Sequence, residues 1–125
     1  MEREFSVRLP NKPGELARLT EKLRDAEVNI KTISTEPKAE VVRLIADNPD
    51  KARETLNSAN MQFSERNVLV TKLEDKPGEL ARISSLLAKE NVNIDAAYML
   101  GKEGRHVHVA LVVSDEEKAK NILKL

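Results

Sequence analysis

Lys12-Pro13-Gly14-Glu15-Leu16-Ala17-Arg18 returns unchanged as Lys76-Pro77-Gly78-Glu79-Leu80-Ala81-Arg82, an offset of 64 (76 − 12), in a chain of 125 residues. The match runs on without a gap. Leu19, Leu23 and Val28-Asn29-Ile30 answer Ile83, Leu87 and Val92-Asn93-Ile94 at the same offset. Lys51-Ala52 then aligns with Lys118-Ala119, an offset of 67 (118 − 51), so the second copy carries extra residues, expected in a Gly101-Lys102-Glu103-Gly104 turn. A repeat of this length means two small domains built alike.

Each copy reads as the same succession of elements. Phe5, Val7 and Leu9 alternate with Ser6 and Arg8, the period of a strand with one buried face. The Asn11-Lys12-Pro13-Gly14 turn opens a helix in which Leu16, Leu19, Leu23 and Ala26 recur along one side, expected to face the core. Residues 29–35 and 40–46 form two strands around a Glu36-Pro37-Lys38 turn. Asp47-Asn48-Pro49-Asp50 caps a second helix that turns Ala52, Leu56 and Ala59 inward. Met61 to Glu65 forms a fourth strand. The order βαββαβ gives an α+β fold, ferredoxin-like, with both helices on one face of an antiparallel sheet. Domain one spans residues 1–66 and domain two 67–125. The second copy is expected to lack its last strand, leaving Asn67–Leu73 as an apolar edge that invites pairing.

Composition removes several function classes. Lys plus Arg and Asp plus Glu both total 21, a formal net charge of zero, so no basic excess favours nucleic acid or an anionic membrane. Aromatic residues are confined to Phe5, Phe63 and Tyr98, too few for base-stacking platforms. Absence of Cys rules out disulfides and thiolate chemistry. The start of the chain leads into a strand pattern rather than an apolar leader, and no apolar run is long enough to span a bilayer, so the expectation is a cytoplasmic protein. His106 and His108 share a strand face, but two ligands are too few for a metal site, and ordinary surface histidines are the expectation. Tyr98 and Met99 read as packing or as a pocket floor. Asp115 to Lys120 reads as a solvated helix face, and Leu86 as an extra exposed apolar residue. No nucleophile with a base and no Gly-rich phosphate loop is present, so no catalytic residue, metal or cofactor is assigned.

The repeated block is where sequence meets chemistry. Pro fixes the turn, Gly permits close backbone approach, and the helix start behind them suits a carboxylate. Asn11 and Asp75 stand ahead of Gly14 and Gly78, close enough to accept a turn N–H or a ligand ammonium, and equally able to act as plain turn caps. A carboxylate site beside an ammonium acceptor describes an α-amino acid.

Asn-Lys-Pro-Gly-Glu-Leu (11–16) and Asp-Lys-Pro-Gly-Glu-Leu (75–80), each followed by a helix and Val-Asn-Ile, resemble the ACT domain, here as a tandem pair over nearly the whole chain. The resemblance implies a non-catalytic regulatory module that binds a free amino acid at interfaces between paired domains and controls an amino-acid metabolic enzyme or regulator. It implies ligand contacts at Asn11, Pro13, Gly14, Glu15, Leu16, Asn29 and Ile30, and at Asp75, Pro77, Gly78, Glu79, Leu80, Asn93 and Ile94. In serine-binding members a His precedes the Asn by two residues. Leu9 and Leu73 stand there, a departure that counts against serine. Asn29 and Asn93 read alternatively as helix exits with unusual backbone angles. The expected partners are a free amino acid, a second copy of the chain in a homodimer and a metabolic enzyme, with neither nucleic acid nor membrane. The competing reading is a protein-interaction adaptor of the same architecture without a ligand.

Overall fold

Strand β1 (Glu2–Arg8) buries Phe5 and Val7 and continues to a buried Leu9, as the alternation predicts. In the computed structural model, which describes residues 1–125, the chain divides into an N-terminal unit, Arg3–Arg66, and a C-terminal unit, Asn67–Leu125 with Met1–Glu2.

In the N-terminal unit β1 is followed by α1 (Glu15–Asp25), β2 (Ile30–Glu36), β3 (Val41–Ala46), α2 (Pro49–Ser58) and the start of β4 (Phe63–Glu74). Its strands lie in the order β2-β3-β1-β4. Antiparallel pairing sets Phe5 opposite Leu44 and Thr35 opposite Val42. Leu19 and Leu23 of α1 and Ala52 and Leu56 of α2 close over Phe5, Val7 and Leu44 to make the core. The Asn48 side chain caps α2 by accepting from Lys51 N–H at 3.1 Å, and Pro49 stands in its first turn.

The C-terminal unit repeats this with the rest of β4, α3 (Glu79–Lys89), β5 (Ile94–Glu103), β6 (His106–Val113) and α4 (Glu116–Leu123). Its strands lie in the order β4-β6-β5. Ile83, Leu87 and Ala119 pack on Leu69, Val109 and Leu111. Asp115 caps α4 through Lys118 N–H at 3.0 Å. Within residues 67–125 the last element is α4.

The continuous extended run expected from Met61 to Leu73 is one strand, β4, with no Gly or Pro within it, and Met61 sits before it in the core. Other local expectations are corrected. Leu16 is not a core residue: it is 43% exposed, as its counterpart Leu80 is 50%, because the helices bury only the turns beyond their first. The extra residues of the second copy lengthen its hairpin instead of forming a turn. β5 and β6 have 10 and 8 residues against 7 and 6 in β2 and β3. Gly101, Lys102 and Glu103 lie within β5, a register shift falls between Met99 and Gly101, and only Gly104 takes a turn conformation, at φ 62°.

Charge enters the N-terminal unit where alternation alone does not predict it. Glu4, 1% exposed, accepts from Arg66 Nε at 2.6 Å. Glu65 accepts from Arg53 through two nitrogens, at 2.6 and 2.7 Å, and from Arg3 Nε at 3.2 Å. The Arg53 hydrogen bonds hold the Glu65 carboxyl below the usual range against the opposing effect of burial, and Arg3 adds to the shift. No helix is long and apolar enough to cross a membrane.

Candidate functional site

The repeated turns place a glycine in the left-handed region at the head of each long helix. Gly14 has φ 89° and Gly78 φ 91°, angles that an L side chain adopts only with strain. A Cβ at either position meets nothing within 4 Å, so the glycine serves the backbone conformation of the turn rather than an existing close approach. The N-cap position of each helix is the glycine itself, so Asn11 and Asp75, three residues earlier, do not occupy it. Glu15 accepts from Arg18 at 3.3 Å, and Glu79 takes Arg82 in a two-pronged contact at 3.0 and 3.4 Å. Arg82 holds the Glu79 carboxyl below its ordinary range despite some desolvation, with the Glu74 backbone and Lys76 acting in the same direction as Arg82. The Glu74 carboxylate, 2.8 Å from Lys76 Nζ, in turn raises the pKa of the Lys76 ammonium.

Each turn opens onto a cleft beside the hairpin of its own unit. In the N-terminal unit a cleft of about 360 Å³ is lined by Leu9, Pro10, Asn11, Lys12 and Leu16 on the turn side, and by Thr35, Glu36, Pro37, Glu40, Val41 and Val42 opposite. In the C-terminal unit a cleft of about 300 Å³ is lined by Leu73 to Lys76, Glu79 and Leu80, with Ala97, Tyr98, Met99, Val107 and Val109 facing them. Both fall at the lower end of the usual range for small-molecule sites, ~300–1,000 Å³. Lys102 reaches back from the lengthened hairpin to Asp75, Nζ to Oδ2 at 3.0 Å, with both side chains largely open to solvent.

The expected site residues separate into two places within each unit. Asn11, Leu16, Asp75, Glu79 and Leu80 line the clefts. Pro13, Gly14, Pro77 and Gly78 shape the turns beside them, and Glu15 binds Arg18 there, without lining either cleft. Asn29 and Ile30 lie at the far end of α1, an 11-residue helix, ~16 Å from its start. Asn93 and Ile94 stand likewise beyond α3. There the asparagines anchor strand starts. Asn29 N–H donates to the Asp47 carboxylate at 3.0 Å while Asp47 N–H donates to the Asn29 carbonyl at 2.9 Å. Asn93 forms the same reciprocal pair with Ser114, at 2.9 and 3.0 Å, and its amide also donates to Asp95 at 2.7 Å. The left-handed helix exits fall two residues earlier, at Glu27 and Asn91, and not at Asn29 and Asn93.

Tyr98 and Met99 line the C-terminal cleft, as one of the sequence readings has it. Lys102 was missed as a neighbour of the turn; the signal for it was the insertion in the second copy. His108 meets Glu103 at 3.2 Å on the hairpin. Leu9 and Leu73, at the position where serine-binding members carry His, are buried at the base of the clefts.

Residues 2–125 match the family described as an ACT domain pair. A solved protein from Bacteroides thetaiotaomicron is similar at a TM-score of 0.90 and 26% identity, over 98% of this chain and 86% of that one. The regulatory subunit of aspartate kinase from Thermus flavus gives a TM-score of 0.71 at 16% identity, over 98% of this chain and 88% of that one. The same subunit from Thermus thermophilus, in its ligand-free form, gives 0.68 at 16%, over 98% and 89%. At such identities the likeness to these subunits is one of fold. No curated protein matches the sequence.

Proposed function

The chain belongs to the ACT domain pair family, and on that premise we propose that it is a regulatory module that binds a free amino acid in the clefts at the heads of α1 and α3. Residues 1–66 and 67–125 each act as one ACT-like domain in this reading, and the bound state modulates an amino-acid metabolic enzyme or regulator. One observation carries the reading: an identical turn, built twice around a left-handed glycine, borders a small-molecule-sized cleft in both units. Asn11 or the Asp75–Lys102 pair offers polar contacts for ammonium and carboxylate groups, while Leu16 or Leu80 offers apolar surface. Asn29, Ile30, Asn93 and Ile94 are left out of the clefts because they lie at the other end of each helix.

Calorimetry and thermal shift with the twenty standard amino acids test this. A ligand at a hundred times its Kd stabilises the folded state by about 2.7 kcal/mol through mass action and raises the melting temperature. No heat and no shift at millimolar ligand would transfer the function to the adaptor reading. We further propose a cytoplasmic homodimer. Sedimentation at micromolar concentration is expected to give about twice the 14.0 kDa chain mass, and a clean monomer would refute it.

A further inference from the structure

The hairpin registers make the two clefts comparable position by position. Thr35 stands opposite Val42 on the N-terminal hairpin, and Met99 stands opposite Val109 on the C-terminal one, so Thr35 and Met99 occupy the same place. By the same register Glu40 becomes Val107. Both exchanges run from polar to apolar. Met99 is 54% exposed and Leu80, across the cleft, 50%, so two large apolar side chains meet water at one mouth above a buried floor of Leu73, Val107 and Val109. Covering them is favourable by the hydrophobic effect, whereas a charged side chain placed among them would lose its hydration while the lining charges Glu74, Lys76 and Glu79 are already engaged with one another and with Arg82.

At the rim, Asp75 and Lys102 form an exposed ion pair, of the kind that is weak and costs little to open. A zwitterion supplies both charges needed to replace it. We propose that the C-terminal cleft selects a neutral amino acid with an aliphatic or thioether side chain. That side chain packs between Leu80 and Met99, the ammonium goes to Asp75 and the carboxylate to Lys102. The inference rests on the amino-acid-binding reading above and adds the class of ligand to it.

Calorimetric titration of the full chain with leucine, methionine, serine, lysine and aspartate tests the selectivity. Leucine or methionine is expected to bind at least about tenfold more tightly than the other three. Met99→Thr, which installs the residue of the other cleft at an exposed position, is expected to weaken that binding about fivefold with an unchanged melting curve. Met99→Leu is expected to keep it within about twofold. Tighter binding of serine, lysine or aspartate would overturn the selectivity while leaving amino-acid binding intact. An unaltered affinity in Met99→Thr would overturn the placement of the side chain. No binding of any amino acid would remove the underlying reading as well.

Discussion

The clefts heading α1 and α3 share a turn with identical residues and a nearly identical glycine conformation, yet they differ in what stands across from it. Val42 and Val109 hold the same place in both, but the N-terminal cleft carries Thr35 and Glu40 where the C-terminal one carries Met99 and Val107, and only the latter has a Lys102 closing on Asp75. The difference teaches that the turn sets the position of a cleft and the hairpin sets its chemistry. A repeat can preserve the first while it varies the second, because exposed hairpin positions such as Thr35 and Met99 belong to neither core.

The comparison is best tested first at the parts that are alike. Leu23 and Leu87 are equivalent and fully buried, so Leu23→Ala and Leu87→Ala are each expected to cost about 2–5 kcal/mol in chemical denaturation. A loss at only one position would mean that the units do not carry equivalent cores. Next come the turns. Gly14→Ala and Gly78→Ala each force a side chain into the left-handed region and should cost about 1–2 kcal/mol, although the space around each Cβ is open. A neutral substitution at either would show that its turn relaxes to another conformation.

Smaller effects probe the parts that differ. Asp75→Asn removes one partner of an exposed ion pair, so its effect on stability should stay below about 1 kcal/mol. Its effect on amino-acid affinity should exceed that of Asn11→Asp, and equal effects by titration would erase the distinction between the clefts. The smallest expected effect is in acid. The Glu79 carboxyl is held below its ordinary range by Arg82, so its contribution is present above the unfolded value of about 4.3 and is lost as pH falls through the lower folded value. Carboxyl NMR should find Glu79 titrating below that value, and a midpoint at or above it would remove the Arg82 contact as the cause.

The repeat, the strand order and the buried Leu19, Leu23, Ile83 and Leu87 were legible in the sequence because helix and strand periods act locally. Leu16 and Leu80 misled because a 3.6-residue period marks a face without saying which turn of it is covered. Glu4 could not be read as buried: its partner, Arg66, is 62 residues away, and pairing across strands leaves no local pattern. The turn clefts were legible from Pro, Gly and their duplication. Exclusion of Asn29 and Asn93 from them was not, since it depends on the whole length of a helix between neighbours in the motif. Lys102 beside Asp75 required the hairpin register, which the insertion hinted at without fixing.

The aromatic residues divide between the units. Phe5 and Phe63 lie in the N-terminal unit, their ring centroids 5.9 Å apart, while Tyr98, the single tyrosine of a chain without tryptophan, lines the C-terminal cleft. Tyrosine emission from the unlabelled protein therefore originates at the C-terminal hairpin alone. A solute that changes its intensity acts on that hairpin, without competition from a brighter indole.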